Sequence, residues 1–236
     1  MTIFEDALGA ISGGQVLDVA TSRGGFIEIL IENLKDYAHI TGLDAVDHIA
    51  DAQAGVFDRA DVTHHIGDAH KMPFEPNSFD TVSISMALHH MADIPAALAE
   101  MYRVLRPGGH VIVIEQYRDK QTERQRAWID FHHWFAEVDS ALGVTHNQTL
   151  TRQEIVDAVS ALPLTAVQTF EVPPTAANPM VDSRINRIDE RFASVLERAE
   201  SLPNFASIKA AGESIVKRLH ELGVEQATRL LIVGRK

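Results

Sequence analysis

The strongest constraint on this chain is the alternation of short apolar runs with amphipathic segments over its first 115 residues. The apolar runs have strand length and end in turn-prone residues, whereas the intervening segments repeat apolar residues at three- and four-residue steps. Strands separated by helices of this length indicate right-handed βαβ units and a mostly parallel sheet. The predicted strands are residues 15–20, 39–44, 62–68, 79–86 and 110–115, and the predicted helices are 26–34, 47–57 and 94–105.

The pattern changes beyond residue 116, where helical periodicity dominates. This half is predicted to contain helices over 119–142, 155–162 and about 178–222, broken near Pro203, and strands over 164–172 and 227–233. Thr151 and Glu154 have the spacing of a capping box at the start of the second of these helices. We therefore expect one globular domain over residues 1–236, with a lid helix region at 117–150 and a helical insertion at 176–222 between the last two strands.

Composition and charge narrow the class of protein. The chain has no Cys, and 33 acidic residues outnumber 21 basic ones, giving a net charge of −12. This balance disfavours nucleic acid as a partner, and the lack of Cys excludes thiolate and iron–sulfur chemistry. No apolar run reaches the ~18 residues of a membrane helix and the first residues carry no basic leader, so we expect a cytoplasmic protein that does not interact with membranes.

Acidic and small residues follow three successive predicted strands. Asp18 lies near the end of the first strand, before a turn of small residues, and Asp44 and Asp68 lie at the ends of the second and third strands. Ligands bind at the carboxyl ends of such strands, where the strand order reverses. Each feature also has a structural interpretation, since the turn could be only a tight strand-to-helix connection and Asp44 a helix N-cap. Three successive loops of this kind favour a ligand-binding site over turn and capping chemistry alone.

Five motifs in this order resemble the class I S-adenosylmethionine-dependent methyltransferases, and within them the branch of quinone-biosynthesis and other small-molecule methyltransferases. The resemblance covers about residues 14–116. The motifs are Val-Leu-Asp-Val-Ala-Thr-Ser-Arg-Gly (16–24), Gly-Leu-Asp (42–44), Gly-Asp-Ala-His-Lys-Met-Pro-Phe (67–74), Asn-Ser-Phe-Asp-Thr-Val (77–82) and Met-Tyr-Arg-Val-Leu-Arg-Pro-Gly-Gly (101–109).

The resemblance implies an α/β fold with a Rossmann-like, seven-stranded, mostly parallel sheet, helices on both faces, and a helical lid or insertion. It implies S-adenosyl-L-methionine as the cofactor and methyl transfer to a small-molecule acceptor by in-line displacement. The implied cofactor contacts are Asp18 near the methionine amino group, the backbone of Ala20, Ser22 and Gly24 along the cofactor, Asp44 on the ribose hydroxyls, Asp68 and Ala69 on the adenine, and Met86 beside the acceptor.

One departure concerns the turn after the first strand. The family usually has Gly-X-Gly-X-Gly there, and this chain has Ala20, Ser22 and Gly24 at the three glycine positions. If Ser22 needs a positive φ, we expect strain of about 1 kcal/mol or more. This turn motivates a second hypothesis, a methyltransferase-like partner or regulator that binds the cofactor weakly and is not catalytic. An NAD-dependent oxidoreductase ranks lower, because the turn lacks Gly-X-Gly-X-X-Gly.

Candidate residues for the acceptor side come from histidines and aromatics. The resemblance implies that residues after the fourth strand face the acceptor, which makes His89 and His90 the candidate catalytic residues, with a polar helix start as the alternative. Trp128 and His132 lie four apart on one face of the predicted long helix and are the candidate acceptor contacts, although aromatics at this spacing often form core. The identity of the acceptor remains open.

Two further expectations concern metals and oligomerisation. The chain has 12 His, but no His-x-x-x-His pair with a nearby carboxylate stands out, so we expect no metal site. The amphipathic insertion offers a surface for a homodimer.

Overall fold

A computed structural model describes residues 2–47, 55–174 and 182–236, without the side chain of Asp182. The helix predicted over 47–57 lies mostly outside these residues. The strands are β1 (Gln15–Val19), β2 (His39–Asp44), β3 (Val62–Ile66), β4 (Phe79–Ser85), β5 (Leu105–Gln116), β6 (Thr165–Val172) and β7 (Arg229–Arg235). The helices are α1 (Ile3–Leu8), α2 (Gly25–Asn33), α3 (Ile94–Val104), α4 (Glu123–Ala141), α5 (Arg152–Ser160), α6 (Asp182–Ala199) and α7 (Phe205–Leu222).

The seven strands form one sheet in the order β3-β2-β1-β4-β5-β7-β6. Strands β1 to β5 pair in parallel, and β7 runs antiparallel between β5 and β6. The predicted mostly parallel, seven-stranded α/β fold is confirmed. Chain order reverses between β1 and β4, where Asp18 lies opposite Ser83 in the register. The predicted site therefore lies at the switch point of the sheet.

Helices cover both faces of the sheet, as predicted. On one face, α3 and α5 pack residues such as Leu98 and Ile155 against the apolar side chains of the central strands. On the other face, α1 and α2 contribute Leu8 and Leu30 to a second buried cluster. Helix α1, which the sequence analysis did not predict, begins with a capping box between Thr2 and Glu5.

One boundary differs from its prediction at the start of β5. The strand begins at Leu105 rather than at residue 110, and its pairing with β4 shifts register between Phe79 and Thr81. The Arg-Pro-Gly-Gly turn is therefore an irregularity within the strand rather than a break before it. Arg106 anchors this irregularity, because its Nη1 donates to both carboxylate oxygens of Asp80 at 2.7 Å.

The remaining helices form a separate layer, which we call the helical cap: α4, α6 and α7. Residues such as Phe131, Trp134, Val195 and Leu219 give the cap its own buried apolar cluster. The cap is connected to the sheet at the ends of β5 and β6 and at the start of β7. These three strand ends are neighbours, because Arg229 of β7 pairs both with Gln116, the last residue of β5, and with the end of β6. Helices α6 and α7 are thus inserted between β6 and β7. No helix in the described ranges is long and apolar enough to cross a membrane.

Candidate functional site

Asp18 lies buried at the carboxyl end of β1, with 1% of its surface exposed. Ser83 Oγ donates to Asp18 Oδ1 at 2.7 Å, and Thr21 Oγ1 donates to Oδ2 at 2.8 Å. Burial raises the pKa of Asp18 to about 6, although the two hydrogen bonds by themselves lower it. The site therefore holds a carboxylate whose negative charge is poorly solvated, which is a favourable partner for a cation.

The turn after β1 has left-handed backbone at each position where the family has glycine. The φ angles are 54° at Ala20, 49° at Ser22 and 79° at Gly24. This conformation is strained for residues with a Cβ, and such strain concentrates at functional sites. At Gly24 a Cβ would also lie 2.5 Å from Cγ1 of Val56. The turn thus exposes backbone toward the switch point at the expense of local strain.

A cavity of about 700 Å³ opens at the ends of β1, β2 and β4 and the loop after β3. Its lining includes Ala20, Ser22, Asp44, Asp68, Ala69 and Met86. Asp18 lines a smaller adjoining cavity of about 270 Å³ that shares Ala20, Ser22 and Ser85 with the larger one. We call the two together the cofactor cavity. Seven of the eight predicted cofactor residues are brought together here, and Gly24 is absent from the lining.

Asp44 connects the first two loops of this cavity. Its Oδ2 accepts from the backbone amide of Ser22 at 2.8 Å, and its Oδ1 accepts from that of Val46 at 3.0 Å. Each carboxylate oxygen offers about two acceptor directions, so these amide contacts are compatible with ligand hydroxyls on the same group. The carboxylate of Asp44 is thereby oriented by backbone before any ligand contact.

Asp68 is largely exposed in the loop after β3 and pairs with His70. Oδ1 of Asp68 accepts from the backbone amide of His70 at 2.9 Å and lies 2.7 Å from the Nδ1 of the same residue. These hydrogen bonds lower the pKa of Asp68. It is therefore a charged acceptor at neutral pH, on the wall formed by the third loop.

The two candidate catalytic histidines lie in different environments. His90 lines the cofactor cavity, and burial, with His89 and His146 nearby, lowers the pKa of His90 to about 3. His89 is buried, does not line this cavity, and has its Nδ1 3.1 Å from Oε1 of the buried Glu115. Of the predicted pair, His90 is the one that lines the cofactor cavity.

A second cavity, of about 400 Å³, lies within the helical cap, and we call it the arginine cavity. Trp128 lines it together with Phe131 and Phe135, whereas His132 lies buried behind it against Phe135, with ring centroids 4.7 Å apart. The predicted pair Trp128 and His132 is therefore split between a cavity wall and a buried cluster.

Three arginines complete the arginine cavity: Arg184, Arg187 and Arg191. Among the side chains that the structure describes, no carboxylate lies within ion-pair distance of any of them. Burial lowers the pKa of Arg191, whose guanidinium stacks 4.7 Å above the ring of Phe135. These three arginines were not predicted as site residues from the sequence, although they are three and four residues apart and therefore lie on one face of α6.

This geometry defines a class of fold. An open α/β sheet presents Asp18, Asp44 and Asp68 around cavities at its switch point, which is where ligands bind in folds of this kind. Residues 17–113 match the family model described as a methyltransferase domain. A demethylmenaquinone methyltransferase from Renibacterium salmoninarum is 41% identical over 113 residues, which are 47% of this chain and 44% of that protein. The chain thus spans less than half the length of this relative.

Solved structures extend the likeness to the whole fold. The YcgJ protein from Bacillus subtilis aligns with a TM-score of 0.61 at 18% identity, over 99% of this chain and 96% of that one. The [4+2]-cyclase SpnF aligns with the same TM-score and identity, over 99% and 78%. The predicted resemblance to class I S-adenosylmethionine-dependent methyltransferases related to quinone-biosynthesis enzymes is confirmed in sequence by the family match over residues 17–113 and by the demethylmenaquinone methyltransferase, and the solved structures confirm the fold alone.

Proposed function

We propose that this protein is an S-adenosylmethionine-dependent methyltransferase that acts on a small anionic acceptor. The observation that carries the first part is the convergence of Asp18, Asp44 and Asp68 on the cofactor cavity, within the segment that matches a methyltransferase domain. The fold alone is not sufficient support, because a [4+2]-cyclase has a similar one.

The residues of the cofactor cavity have distinct tasks in this proposal. Asp18 faces the methionine ammonium, the oriented carboxylate of Asp44 accepts from the ribose hydroxyls, and Asp68 accepts from the adenine amine. S-adenosylmethionine, when bound, supplies a methyl group on a sulfonium. Met86, with its strained φ of 52°, and His90 then border the acceptor end. Alignment of the reacting atoms supplies most of the catalysis, and the neutral His90 acts as a hydrogen-bond partner.

The acceptor class follows from the arginine cavity. Three arginines without described carboxylate partners surround an aromatic lining, so the site favours a ligand with an apolar body and an anionic group. The matched segment ends at residue 113, before α4 begins. The family match therefore does not extend to the cap of this chain.

Cofactor binding is tested by calorimetry and thermal shift with S-adenosylhomocysteine and with NAD. At 100 times the dissociation constant, S-adenosylhomocysteine should stabilise the protein by about 2.7 kcal/mol, and NAD should not. Asp44→Ala should weaken binding by roughly 1–3 kcal/mol, because the ribose hydroxyls lose their acceptor. The matched control Asp36→Ala removes an exposed carboxylate before the other end of β2 and should leave affinity unchanged.

The outcomes separate the hypotheses. No shift with either ligand favours the non-catalytic partner, and a shift with NAD alone favours an oxidoreductase. Equal affinity of Asp44→Ala and wild type would contradict the assignment of this carboxylate.

Acceptor class is tested with aromatic probes by saturation-transfer NMR in the presence of S-adenosylhomocysteine. 4-Hydroxybenzoate and phenyl phosphate should bind at least 10-fold more tightly than the neutral 4-hydroxybenzamide. Arg187→Gln with Arg191→Gln should remove this preference, whereas Lys217→Gln, an exposed charge on α7, should keep it. Equal binding of charged and neutral probes would reject an anionic acceptor without affecting the cofactor assignment.

A further inference from the structure

Four imidazole rings pack together where three chain segments meet. His89 and His90 follow β4, His132 comes from α4, and His146 comes from the segment after α4. Neighbouring ring centroids are separated by 4.1 Å for His90–His146, 4.9 Å for His89–His132 and 4.9 Å for His132–His146. Three of the rings are buried, with exposed fractions of 2%, 8% and 4% for His89, His132 and His146.

These three buried histidines have the arrangement of a ligand set. One ring nitrogen from each lies within 4.8 Å of those of the other two. Nε2 of His146 is 3.2 Å from Nε2 of His132, close to the separation of two ligands on one tetrahedral ion. Imidazoles contributed by distant segments suit Zn²⁺ and neighbouring transition metals.

Two buried carboxylates face the outer nitrogens of the set. Asp139 Oδ2 lies 2.7 Å from Nδ1 of His146, and Glu115 Oε1 lies 3.1 Å from Nδ1 of His89. The hydrogen bond from His146 to Asp139 fixes the tautomer of His146 and leaves its Nε2 lone pair for a metal, whereas Glu115 lies close to His89 without bonding to it. Glu115 is fully buried and Asp139 nearly so; Arg198 Nη1 donates to the other oxygen of Asp139 at 2.7 Å, which leaves Glu115 as the buried carboxylate without a described ion-pair partner other than His89.

One ring nitrogen of the cluster lacks a hydrogen-bond partner. Nδ1 of His89 is buried and makes no hydrogen bond, although Oε1 of Glu115 lies 3.1 Å away. A buried polar group left without a partner is destabilising. A cation bound by the three rings would hold His89 in a defined orientation toward Glu115 and balance the buried charge of that carboxylate.

We propose that His89, His132 and His146 bind a divalent transition-metal ion of the Zn²⁺ type, with Glu115 and Asp139 as positioning residues. The three ligands come from segments that are far apart in the sequence, so no close spacing of histidines indicates the site. The ion would tie the segment after α4, which contributes Val144 and Thr145 to the cofactor cavity, to α4 and to the end of β4. This proposal does not depend on methyl transfer.

The experiment uses the full chain without a histidine tag, treated with chelator and dialysed. Titration with Zn²⁺ by calorimetry, and with Co²⁺ by visible absorption, should show one equivalent bound, with the strong d–d bands of a tetrahedral site. His132→Gln and His146→Gln should each weaken Zn²⁺ binding by at least 100-fold. Glu115→Gln should weaken it 10- to 100-fold, as expected for a group that orients a ligand.

The matched control is His133→Gln, the same change one residue along α4. His133 bonds to Thr149 instead, with 2.9 Å between its Nε2 and the hydroxyl, and this variant should bind Zn²⁺ like wild type. Circular dichroism identifies any variant that fails to fold, in which case the wild-type Co²⁺ spectrum decides. Absence of stoichiometric binding, a Co²⁺ spectrum like that of the hydrated ion, or equal loss in His133→Gln would overturn the proposal in favour of an imidazole cluster without metal.

Discussion

The cofactor cavity and the helical cap differ in how they bring side chains together. In the cofactor cavity, the lining residues come from the ends of neighbouring parallel strands. The register of β1 with β2 and of β1 with β4 places these strand ends side by side. In the cap, Trp128 and Arg191 meet only because α4 and α6 pack against each other. A site of the first kind is encoded by local motifs, and a site of the second kind depends on tertiary packing.

The two regions also differ in charge. The cofactor cavity presents Asp18, Asp44 and Asp68, whereas the arginine cavity presents three guanidinium groups in a chain of net charge −12. A cationic cofactor and an anionic acceptor would each meet an environment of opposite charge. The comparison teaches that overall charge says little about the ligand of one cavity, because charges are distributed locally.

The largest expected effect concerns Asp18, on the cofactor side. Because its folded pKa of about 6 lies above the unfolded value, the folded state binds the proton more tightly. The resulting stabilisation is complete below about pH 4 and is lost as pH rises through 6, with a difference of roughly 3 kcal/mol. The variant Asp18→Asn cannot ionise at this position and should therefore not lose stability over this pH range. It should be more stable than wild type at pH 7, while binding S-adenosylhomocysteine more weakly.

The measurement is urea unfolding at pH 4 to 8 for wild type and Asp18→Asn. Only the difference between the two curves is interpreted, so that other titrating groups cancel. Parallel curves would show that Asp18 titrates alike in both states and would remove the argument for a poorly solvated carboxylate.

The next effect tests the helical cap. Gly212 of α7 lies against α4, and an added Cβ would be 2.5 Å from Cζ2 of Trp134. Gly212→Ala should destabilise the protein by about 1–3 kcal/mol through overpacking, while S-adenosylhomocysteine affinity stays within twofold of wild type.

Gly24→Ala is the counterpart in the cofactor turn, where an added Cβ meets Val56 and φ is 79°. This variant should lower both stability and cofactor affinity. If Gly212→Ala lowered cofactor affinity as strongly as Gly24→Ala, the separation of the two regions would not hold.

The smallest expected effect is relief of backbone strain. Ser22→Gly should stabilise the protein by about 1 kcal/mol or less, because glycine adopts a positive φ without a steric penalty. Ala166→Gly relieves a similar φ of 50° in β6, away from the cofactor cavity, and serves as the control. Thermal unfolding should show similar gains in both, and cofactor affinity should change only in Ser22→Gly. A loss of stability in Ser22→Gly would show that its side chain contributes more than the strain costs.

Much of the cofactor side was predictable. The alternation of strands and helices gave the sheet, and Asp18, Asp44 and Asp68 followed as the acidic residues at strand ends. The missing glycine also identified Ser22 as a residue that would be strained if its φ were positive, and its φ is 49°. The cap was harder to predict from the sequence. Trp128 and His132 lie on the same predicted helix face, but in the fold Trp128 lines a cavity and His132 is buried.

The sequence by itself determined the layered α/β fold and the edge of the sheet at which Asp18, Asp44 and Asp68 gather, because periodicity and strand-end motifs are local properties of the chain. Only the tertiary structure decided which of the 12 histidines meet, and that three arginines of α6 face an aromatic wall. Contacts between distant segments depend on how helices pack over the sheet, and the spacing of residues along one segment does not specify which other segment it packs against.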